Sequence, residues 1–198
     1  MEFITGLKQQ EEAELEDLLK AEEGTKIILE GAVHSVRDMG EIAFVILRKR
    51  EGLIQTVWEE GKTDMELSEI REGDYIHVTG QIKDEERAPH GKEVRLSTIR
   101  HLSHVSCPLP LPIDKWKLNT SLEAKLDRRS LSLRNIRERA RFRIQEGIVR
   151  GFRDFLYEQG FTEIHTPKIG AKSAEGGANM FRLSYFHRPA VLQQSPQL

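Results

Sequence analysis

The sequence has little of three things: cysteine, net charge and long apolar runs. Cys107 is the single cysteine among 198 residues, so the chain cannot form an internal disulfide, which fits a reducing, cytoplasmic setting. We expect Cys107 to be a partly buried small hydrophobic residue. No apolar run has the length needed to cross a bilayer, and the N-terminal region is acidic, so the sequence predicts neither membrane association nor a signal peptide.

The charges nearly cancel, since 30 Lys and Arg face 32 Asp and Glu. Any attraction for nucleic acid must therefore come from a local patch. Residues 1–30 contain nine acidic residues and three lysines, whereas residues 124–153 contain ten Lys and Arg against three acidic residues. We interpret residues 1–24 as a solvated acidic helix that ends at Gly24. The basic stretch is either a solvated helix face or a contact for nucleic-acid phosphates.

Residues 25–104 have the pattern of a small all-β domain. Five short segments have strand-like apolar patterns, separated by turn residues, and a short helical stretch lies between the third and the fourth. This is the order of an OB-fold barrel, one face of which binds single-stranded nucleic acid. The predicted strands are residues 25–34, 42–47, 52–58, 74–80 and 93–99, with the helix at residues 65–70.

On the binding face of that barrel we expect Arg37, Phe44 and Gln55. An aromatic ring lets a base stack, worth roughly 1–3 kcal/mol per base. A Gln amide both donates and accepts hydrogen bonds at a base edge, and Arg adds charge and a fork of donors. The alternative is that Phe44 is a core residue, because a Phe in such a strand is more often buried.

The rest of the chain is predicted to be a connector and the beginning of an α+β domain. Residues 105–124 contain a Pro-Leu-Pro run, which makes the backbone stiff and extended, and we expect Trp116 there to be a packing residue. Within residues 125–198, apolar residues recur every fourth position in a helix that begins at Asn135 and ends at Gly160. A strand, a small-residue loop and two more strands are predicted to follow, over residues 161–167, 173–178, 180–185 and 190–193.

Several of these motifs together resemble aspartyl-tRNA synthetases of the archaeal and eukaryotic type. They are Phe161-Thr-Glu-Ile-His-Thr-Pro-Lys168, Ser173-Ala-Glu-Gly-Gly-Ala178 and Gln194-Ser-Pro-Gln-Leu198, in this order. The resemblance extends from about residue 25 to residue 198. It implies an OB-fold anticodon-binding domain followed by the incomplete start of a class II synthetase catalytic domain.

The same resemblance implies roles for the three residues on the barrel face. Arg37-Asp-Met-Gly40, Phe44 and Gly52-Leu-Ile-Gln55 match the family's pattern for anticodon contacts. Phe44 would stack on the middle uridine, Gln55 would recognise the first anticodon base, and Arg37 would contact a further base or phosphate.

Two neighbouring positions depart from the form of the family that is strict for the aspartate tRNA. Such enzymes tend to carry Trp where His34 stands and Lys where Pro89 stands. A smaller residue and a lost cation lead to the hypothesis that the enzyme also charges the asparagine tRNA.

The basic helix resembles motif 1 of class II synthetases, with Pro167 as its fixed proline. That motif forms the dimer interface in the family. An exposed apolar stripe on the helix would then be covered by a second copy, which predicts a homodimer.

For the amino acid, the resemblance implies that Glu175 binds the ammonium of L-aspartate and that Gln197, with Ser195 nearby, orients its polar groups. The implied reaction forms aspartyl-adenylate from aspartate and ATP, and then transfers the aspartyl group to tRNA. The ATP-binding and Mg²⁺-binding groups of the family lie beyond Leu198, so we expect no catalytic residue and no metal site in this chain, and no ATP–pyrophosphate exchange by the chain alone.

Two alternatives to an aspartate–tRNA ligase remain open on the sequence. One is an OB-fold module that binds tRNA or other single-stranded RNA without catalysis. The other is an asparaginyl-tRNA synthetase, although Gln194-Ser-Pro-Gln197 disfavours it. A synthetase-like paralogue that makes asparagine without tRNA is disfavoured by the barrel at residues 25–104.

Overall fold

A computed structural model of the chain describes residues 12–172 and 179–194. They belong to two compact units, residues 1–140 and 141–198. No helix in these described ranges is long and apolar enough to cross a membrane.

The first unit is built on a closed five-stranded barrel with the strand order β1-β2-β3-β5-β4, which confirms the predicted OB-fold. All neighbouring strands are antiparallel except β3 and β5, which pair in parallel and close the barrel. The strands are β1 (Lys26–Asp38), β2 (Ile42–Arg48), β3 (Leu53–Glu59), β4 (Tyr75–Asp84) and β5 (Lys92–Ser103).

The barrel closes around side chains that alternate along each strand. In β2, Ala43, Val45 and Leu47 are fully buried, whereas the residues between them are only half-buried. A strand directs successive side chains to opposite faces, so this period of two assigns one face of each strand to the core. The same core contains Leu29 of β1 and Val78 of β4.

Gly80 occupies a position in β4 that has no room for a side chain. A Cβ atom there would lie 2.3 Å from the carbonyl oxygen of Arg95, on the neighbouring strand β5. The pairing of β4 with β5 shifts register between Thr79 and Gly80. Glycine at this point permits the close approach of two backbones.

The N-terminal helix is shorter and more closely packed than the sequence predicted. It spans α1 (Leu15–Lys20), and its Leu15 and Leu18 are buried in the barrel core. The expectation of a wholly solvated helix is therefore wrong for this face. The predicted helix between β3 and β4 is a single 3-10 turn, Leu67–Glu69.

The segment after the barrel has a small core of its own, formed by Leu111, Ile113 and Leu118. The Asn135 amide donates to the backbone oxygens of Ile113 at 3.0 Å and Lys115 at 2.6 Å. Its oxygen accepts hydrogen bonds from the backbone at the beginning of the long helix, as the sequence predicted for an N-cap. The helices are α2 (Leu122–Asp127), α3 (Arg129–Ser132) and α4 (Ile136–Glu158).

Two expectations for this segment are wrong. Cys107 is exposed rather than partly buried. Trp116 is 73% exposed and so is not a packing residue within the chain. Both lie in the connector, whose buried cluster is formed by Leu111, Ile113 and Leu118 instead.

The second unit contains most of α4 and a three-stranded sheet. The strands are β6 (Ile169–Gly170), β7 (Arg182–Tyr185) and β8 (Arg188–Leu192), in the order β6-β8-β7. The strand predicted over residues 161–167 is absent, since only residues 169 and 170 pair with β8. Between β7 and β8, Phe186 and His187 have positive φ angles, as in the type I′ turns that join tight hairpins.

Candidate functional site

A row of side chains crosses the outer face of the barrel from β1 to β5. Arg37 pairs with Phe44, Phe44 pairs with Val57, and Val57 pairs with Arg95. Residues directly opposite each other in neighbouring strands have side chains on the same face. Arg37 is exposed and Phe44 is half-buried, so the ring rests on the barrel with part of its surface open.

The middle of the row is apolar, since Phe44 and Val57 lie between Arg37 and Arg95. Val57 is 1% exposed, yet it lies outside the barrel core. Its burial therefore comes from the outer face, where Phe44 and Arg95 are its neighbours across the strands. The row thus places one partly open aromatic ring and one valine between two arginines, which suits a stacked base and its phosphate.

Gln55 lies on the same face, two residues before Val57 in β3. Its amide nitrogen donates to Glu93 of β5 at 3.0 Å, and Glu93 forms an ion pair with Arg95 at 2.8 Å. Glu93 is almost fully buried. The amide of Gln55 is thus held in one orientation by a buried carboxylate, which leaves its carbonyl oxygen as an acceptor.

Glu59 completes the polar network on this face. It accepts hydrogen bonds from Lys62 and, at 2.5 Å, from Arg95. The hydrogen bond from Lys62, together with that from Arg95, lowers the pKa of Glu59 from its ordinary value. The guanidinium of Arg95 is therefore fixed between two carboxylates rather than free to move.

Two loops flank the row. In the β1–β2 loop, the Asp38 carboxylate accepts a hydrogen bond from Gly40 N at 2.8 Å, and Gly40 has φ = 93°. The β4–β5 connection contains a 3-10 turn, Pro89–Gly91, that contacts β3. In OB-folds these two loops border the surface that holds an oligonucleotide.

The two predicted tRNA-discrimination residues have different environments. His34 is the extra residue of a β-bulge in β1, between the pairs Val33–Leu47 and Ser35–Ile46. It is only 5% exposed, and burial, together with the nearby Arg48, lowers its pKa. Pro89 is exposed in the β4–β5 connection.

A basic cavity that sequence analysis did not identify lies at the β2–β3 turn. It has a volume of about 660 Å³, and its lining includes Arg48, Arg134 and Arg139. Burial lowers the pKa of Arg48, and repulsion from the other two arginines lowers it further. Within the described ranges, Nη1 of Arg48 is buried without a hydrogen-bond partner. Arg48 is distant in sequence from the other two arginines, so only the fold brings it to them.

The predicted aspartate-binding residues Glu175, Ser195 and Gln197 lie outside the described residues. The segments that flank them are described, and they meet. Gln193 donates to the carbonyl oxygen of Lys172 at 2.9 Å, and Gln194 donates to that of Asn179 at 3.2 Å. Both ends of the diglycine segment are therefore bound to the residues that directly precede Ser195.

The second unit exposes a large apolar surface. Ile144, Ile148, Phe152 and Phe155 on α4 are each 59–68% exposed, and Phe161 and Ile164 after the helix are equally open. Pro167 is also exposed. Soluble proteins rarely leave a contiguous apolar surface of this kind to solvent without a binding function.

Two protein families match the chain, one for each part of this architecture. Residues 27–102 match the OB-fold nucleic acid binding domain, and residues 121–198 match the class II tRNA synthetases (D, K and N). The molecule thus joins a nucleic-acid-binding barrel to part of a class II tRNA synthetase domain, as the sequence motifs implied.

Among class II tRNA synthetases, the similar sequences are aspartate–tRNA(Asp/Asn) ligases. The chain is 41% identical over 180 residues to the aspartate–tRNA(Asp/Asn) ligase of Archaeoglobus fulgidus, covering 89% of this chain and 42% of the relative. It is 40% identical over 187 residues to the enzyme of the same name from Methanococcus vannielii, covering 92% and 42%. The resemblance to aspartyl-tRNA synthetases is therefore confirmed by these relatives and by the class II tRNA synthetase match over residues 121–198.

Solved structures agree with this assignment. The asparaginyl-tRNA synthetase of Pyrococcus horikoshii, complexed with asparaginyl-adenylate, has a TM-score of 0.76 at 29% identity, covering 88% of this chain and 41% of that one. The aspartyl-tRNA synthetase of Entamoeba histolytica has a TM-score of 0.66 at 28% identity, covering 83% and 40%. The chain spans about two fifths of the length of the relatives it matches.

Proposed function

We propose that this chain supplies the anticodon-binding barrel and the first part of the amino-acid site of an aspartate–tRNA ligase. The observation that carries the proposal is the row on the barrel face. In it, Arg37 of β1 pairs directly with Phe44 of β2, and Gln55 lies on the neighbouring strand β3, two residues before the partner of Phe44. The names of the relatives support tRNA(Asp) and tRNA(Asn) as the nucleic acids bound.

Each residue on the face has a distinct task in anticodon binding. The open part of the Phe44 ring stacks on the middle base, beside Val57 of the neighbouring strand. The carbonyl oxygen of Gln55, oriented through the hydrogen bond to Glu93, accepts from the edge of the first base. Arg37 is exposed and contacts a base or a phosphate.

Binding of tRNA(Asp) to the 198-residue chain tests this proposal. Phe44→Ala should weaken binding by about 1–3 kcal/mol in a filter-binding titration. Gln55→Ala should lower the preference for the cognate first anticodon base. Trp116→Ala removes an exposed ring outside the face and should leave affinity unchanged. Equal losses in Phe44→Ala and Trp116→Ala would contradict an anticodon site on this face.

The amino-acid site of the proposed enzyme lies in the second unit. Glu175 binds the ammonium of L-aspartate, and Gln197 and Ser195 orient its polar groups. Its α-carboxylate attacks the α-phosphate of ATP, releasing pyrophosphate, and the aspartyl group then passes to the terminal adenosine of tRNA. Mg²⁺ supplies charge neutralisation at the phosphates in the complete enzyme. This site requires the diglycine segment and the Ser195–Gln197 segment to lie near each other. The hydrogen bonds from Gln193 to Lys172 and from Gln194 to Asn179 support that requirement.

In the full-length ligase, Glu175→Gln should raise the KM for aspartate more than it lowers kcat, because a neutral amide no longer pairs with the ammonium. ATP–pyrophosphate exchange measured against aspartate concentration separates the two constants. Glu163→Gln provides a matched control, since Glu163 forms an exposed ion pair with Arg153 in the same unit. An unchanged KM in Glu175→Gln would exclude the proposed role.

The complete protein is proposed to form a homodimer through α4 and the segment that ends at Pro167. The support is the apolar surface of α4, which the described residues of the chain leave open. A second copy that presents the same surface would bury these side chains symmetrically.

The complete enzyme is proposed to charge both tRNA(Asp) and tRNA(Asn), because His34 and Pro89 stand where strict enzymes tend to carry Trp and Lys. Relatives named for both tRNA(Asp) and tRNA(Asn) support this hypothesis. The test is to aspartylate both purified tRNAs with the complete enzyme. A large preference for tRNA(Asp) would refute it.

An asparaginyl-tRNA synthetase is the second candidate, and the structural similarity to the Pyrococcus horikoshii enzyme favours it. Gln194-Ser-Pro-Gln197 and the names of the sequence relatives favour aspartate instead. Exchange assays with aspartate and with asparagine distinguish the two ligases. If the chain binds tRNA but the complete protein has no ligase activity with either amino acid, the protein is an RNA-binding module without catalysis.

A further inference from the structure

A cluster of titratable side chains lies on the barrel, at residues that the anticodon row does not include. Asp74 directly precedes β4, His101 lies near the end of β5, and His104 follows β5. One potential ligand atom from each of the three residues lies within 4.8 Å of the others. The proposed function gives none of these residues a task.

The carboxylate of Asp74 is buried and held in place by the backbone. It has no exposed surface. One oxygen accepts a hydrogen bond from Val105 N at 2.8 Å, and the other accepts from Arg71 N at 3.0 Å. Its position is therefore fixed by two loops, and its charge is only partly compensated by neutral donors.

Two imidazoles face this carboxylate without bonding to it. Nδ1 of His101 lies 3.6 Å from Oδ2 of Asp74, and Nδ1 of His104 lies 3.7 Å from the same oxygen. Both separations exceed the length of a hydrogen bond. The two rings stack with centroids 3.9 Å apart, and within the described residues neither ring nitrogen of His101 has a hydrogen-bond partner.

We propose that Asp74, His101 and His104 form a site for a divalent transition metal, with Zn²⁺ as the ion that fits best. Zinc bonds to nitrogen and oxygen are about 2.0–2.2 Å long, so two ligands at a tetrahedral angle lie about 3.4 Å apart. The separations of 3.6 and 3.7 Å require only small adjustments to reach this geometry. Two histidines and one carboxylate also form a three-ligand set that leaves the fourth position to solvent.

One bound ion would satisfy several groups at once. It would compensate the buried charge of Asp74 and give a partner to a ring nitrogen of His101. The side chain of His104 is 62% exposed, so the ion can enter from solvent. The three ligands come from the beginning of β4, the end of β5 and the chain that leaves the barrel, so the metal would fasten the connector to the barrel.

No metal site was predicted in this chain, because the Mg²⁺-binding groups of the family lie beyond Leu198. Asp74 is also distant in sequence from the two histidines. The paired histidines are separated by two residues, which is uninformative without the third ligand. The pairing of β4 with β5, in which Tyr75 lies opposite Ser103, brings the aspartate to them.

The test is a Zn²⁺ titration of the metal-free 198-residue chain, with competition by a chromophoric chelator. One ion should bind per chain, and His104→Ala should weaken binding at least about tenfold. His101→Gln should have the same effect. His90→Asn is the matched control, since His90 is exposed on the β4–β5 connection and Asn tolerates its φ of 66°. Cys107→Ser must retain binding, which excludes capture of zinc by the thiol.

Circular dichroism of each variant checks that the barrel is intact, and the exposed His104 is the position least able to unfold it. Co²⁺ should give the visible absorption of a low-coordinate nitrogen and oxygen site without a thiolate charge-transfer band. The proposal is overturned if Zn²⁺ binds the unmodified chain and His104→Ala equally. Loss of binding in Cys107→Ser, or no binding at all, would overturn it as well.

Discussion

The barrel and the second unit bury their apolar residues to very different degrees. In the barrel, Leu29, Val45 and Val78 are completely buried within one continuous core. In the second unit, the apolar residues of α4 project into solvent, and among its described apolar residues only Ala190 and Val191 fall in the buried class. The barrel closes its own core, whereas the helix needs a surface that the described part of this chain does not supply.

The comparison explains where each region's function lies. A closed barrel has no unpaired strand edges, so its outer face is free to bind a ligand on a rigid base. The exposed side of α4 is instead suited to another protein surface. Substitutions in the two regions should therefore differ in their effects.

Leu29→Ala should lower the free energy of unfolding of the barrel by about 2–5 kcal/mol, because it creates a cavity in a closed core. Ile148→Ala, at a position 68% exposed, should change the free energy by about 0.5 kcal/mol or less. Urea denaturation of both variants measures the difference. Similar losses in the two variants would show that α4 is covered within the chain.

Glycine substitutions should have opposite signs in the two regions. Gly80→Ala should destabilise the barrel by about 1–3 kcal/mol, since the new Cβ would lie 2.3 Å from a backbone oxygen. Gly147→Ala should stabilise α4 by about 0.5–1 kcal/mol, because this helical position has open space around it. Thermal unfolding followed by circular dichroism gives both values. A destabilising Gly147→Ala in the complete protein would indicate a closely packed partner at that point.

The proposed dimerisation through α4 can be tested by placing a charged side chain on its apolar surface. Ile148→Lys in the complete protein should weaken dimerisation by about tenfold or more, because it would bury an unpaired ammonium in an apolar interface. Sedimentation across a concentration series measures the dissociation constant. Arg143→Gln, an exposed polar change on the same helix, serves as the control. A dimer that is unaffected by Ile148→Lys would place the interface elsewhere.

The smallest effect concerns pH and is confined to the barrel. The folded-state pKa of His34 lies below its ordinary value of 6.5 because the ring is buried beside Arg48. The unfolded chain therefore binds more protons below about pH 6.5, so the stability that His34 contributes is lost as the pH falls through that value towards the folded pKa. Asp114 acts in the opposite direction.

His34→Gln removes this titration, so the decrease in stability between pH 7 and pH 5 should become smaller in the variant. Urea midpoints at the two pH values provide the measurement. His90→Asn, on the exposed β4–β5 connection, should leave the decrease unchanged. An identical pH dependence in the unmodified chain and His34→Gln would show that His34 is accessible to protons in the folded state.

Much of the fold could be predicted from local patterns. The alternation of apolar residues located all five barrel strands, and Asn135 and Gly160 marked the limits of the long helix, whose observed bounds are Ile136–Glu158. Errors arose where tertiary packing prevailed. Leu15 and Leu18 are buried because the barrel offers α1 a surface, and residues 161–167 lack a strand partner within the described residues.

The candidate site shows the same division. Arg37, Phe44 and Gln55 could be assigned to one face because their positions follow from period-two alternation and from a family resemblance. Sequence did not identify Val57 as the neighbour of Phe44, which depends on the pairing of β2 with β3. It also did not identify Glu93 as the partner that orients Gln55, which depends on the parallel pairing of β3 with β5.

By itself, the sequence determined which segments form strands and helices, which side of each strand is apolar, and which residues carry the motifs of the synthetase family. Only the tertiary structure decided which distant residues meet: the carboxylate of Asp74 with two histidines, and Arg48 with Arg134 and Arg139 at one cavity. The physical reason is the sequence separation over which each kind of interaction acts. Alternation and capping act between residues a few positions apart, whereas barrel closure joins residues that are far apart in the chain, and no local pattern specifies their register.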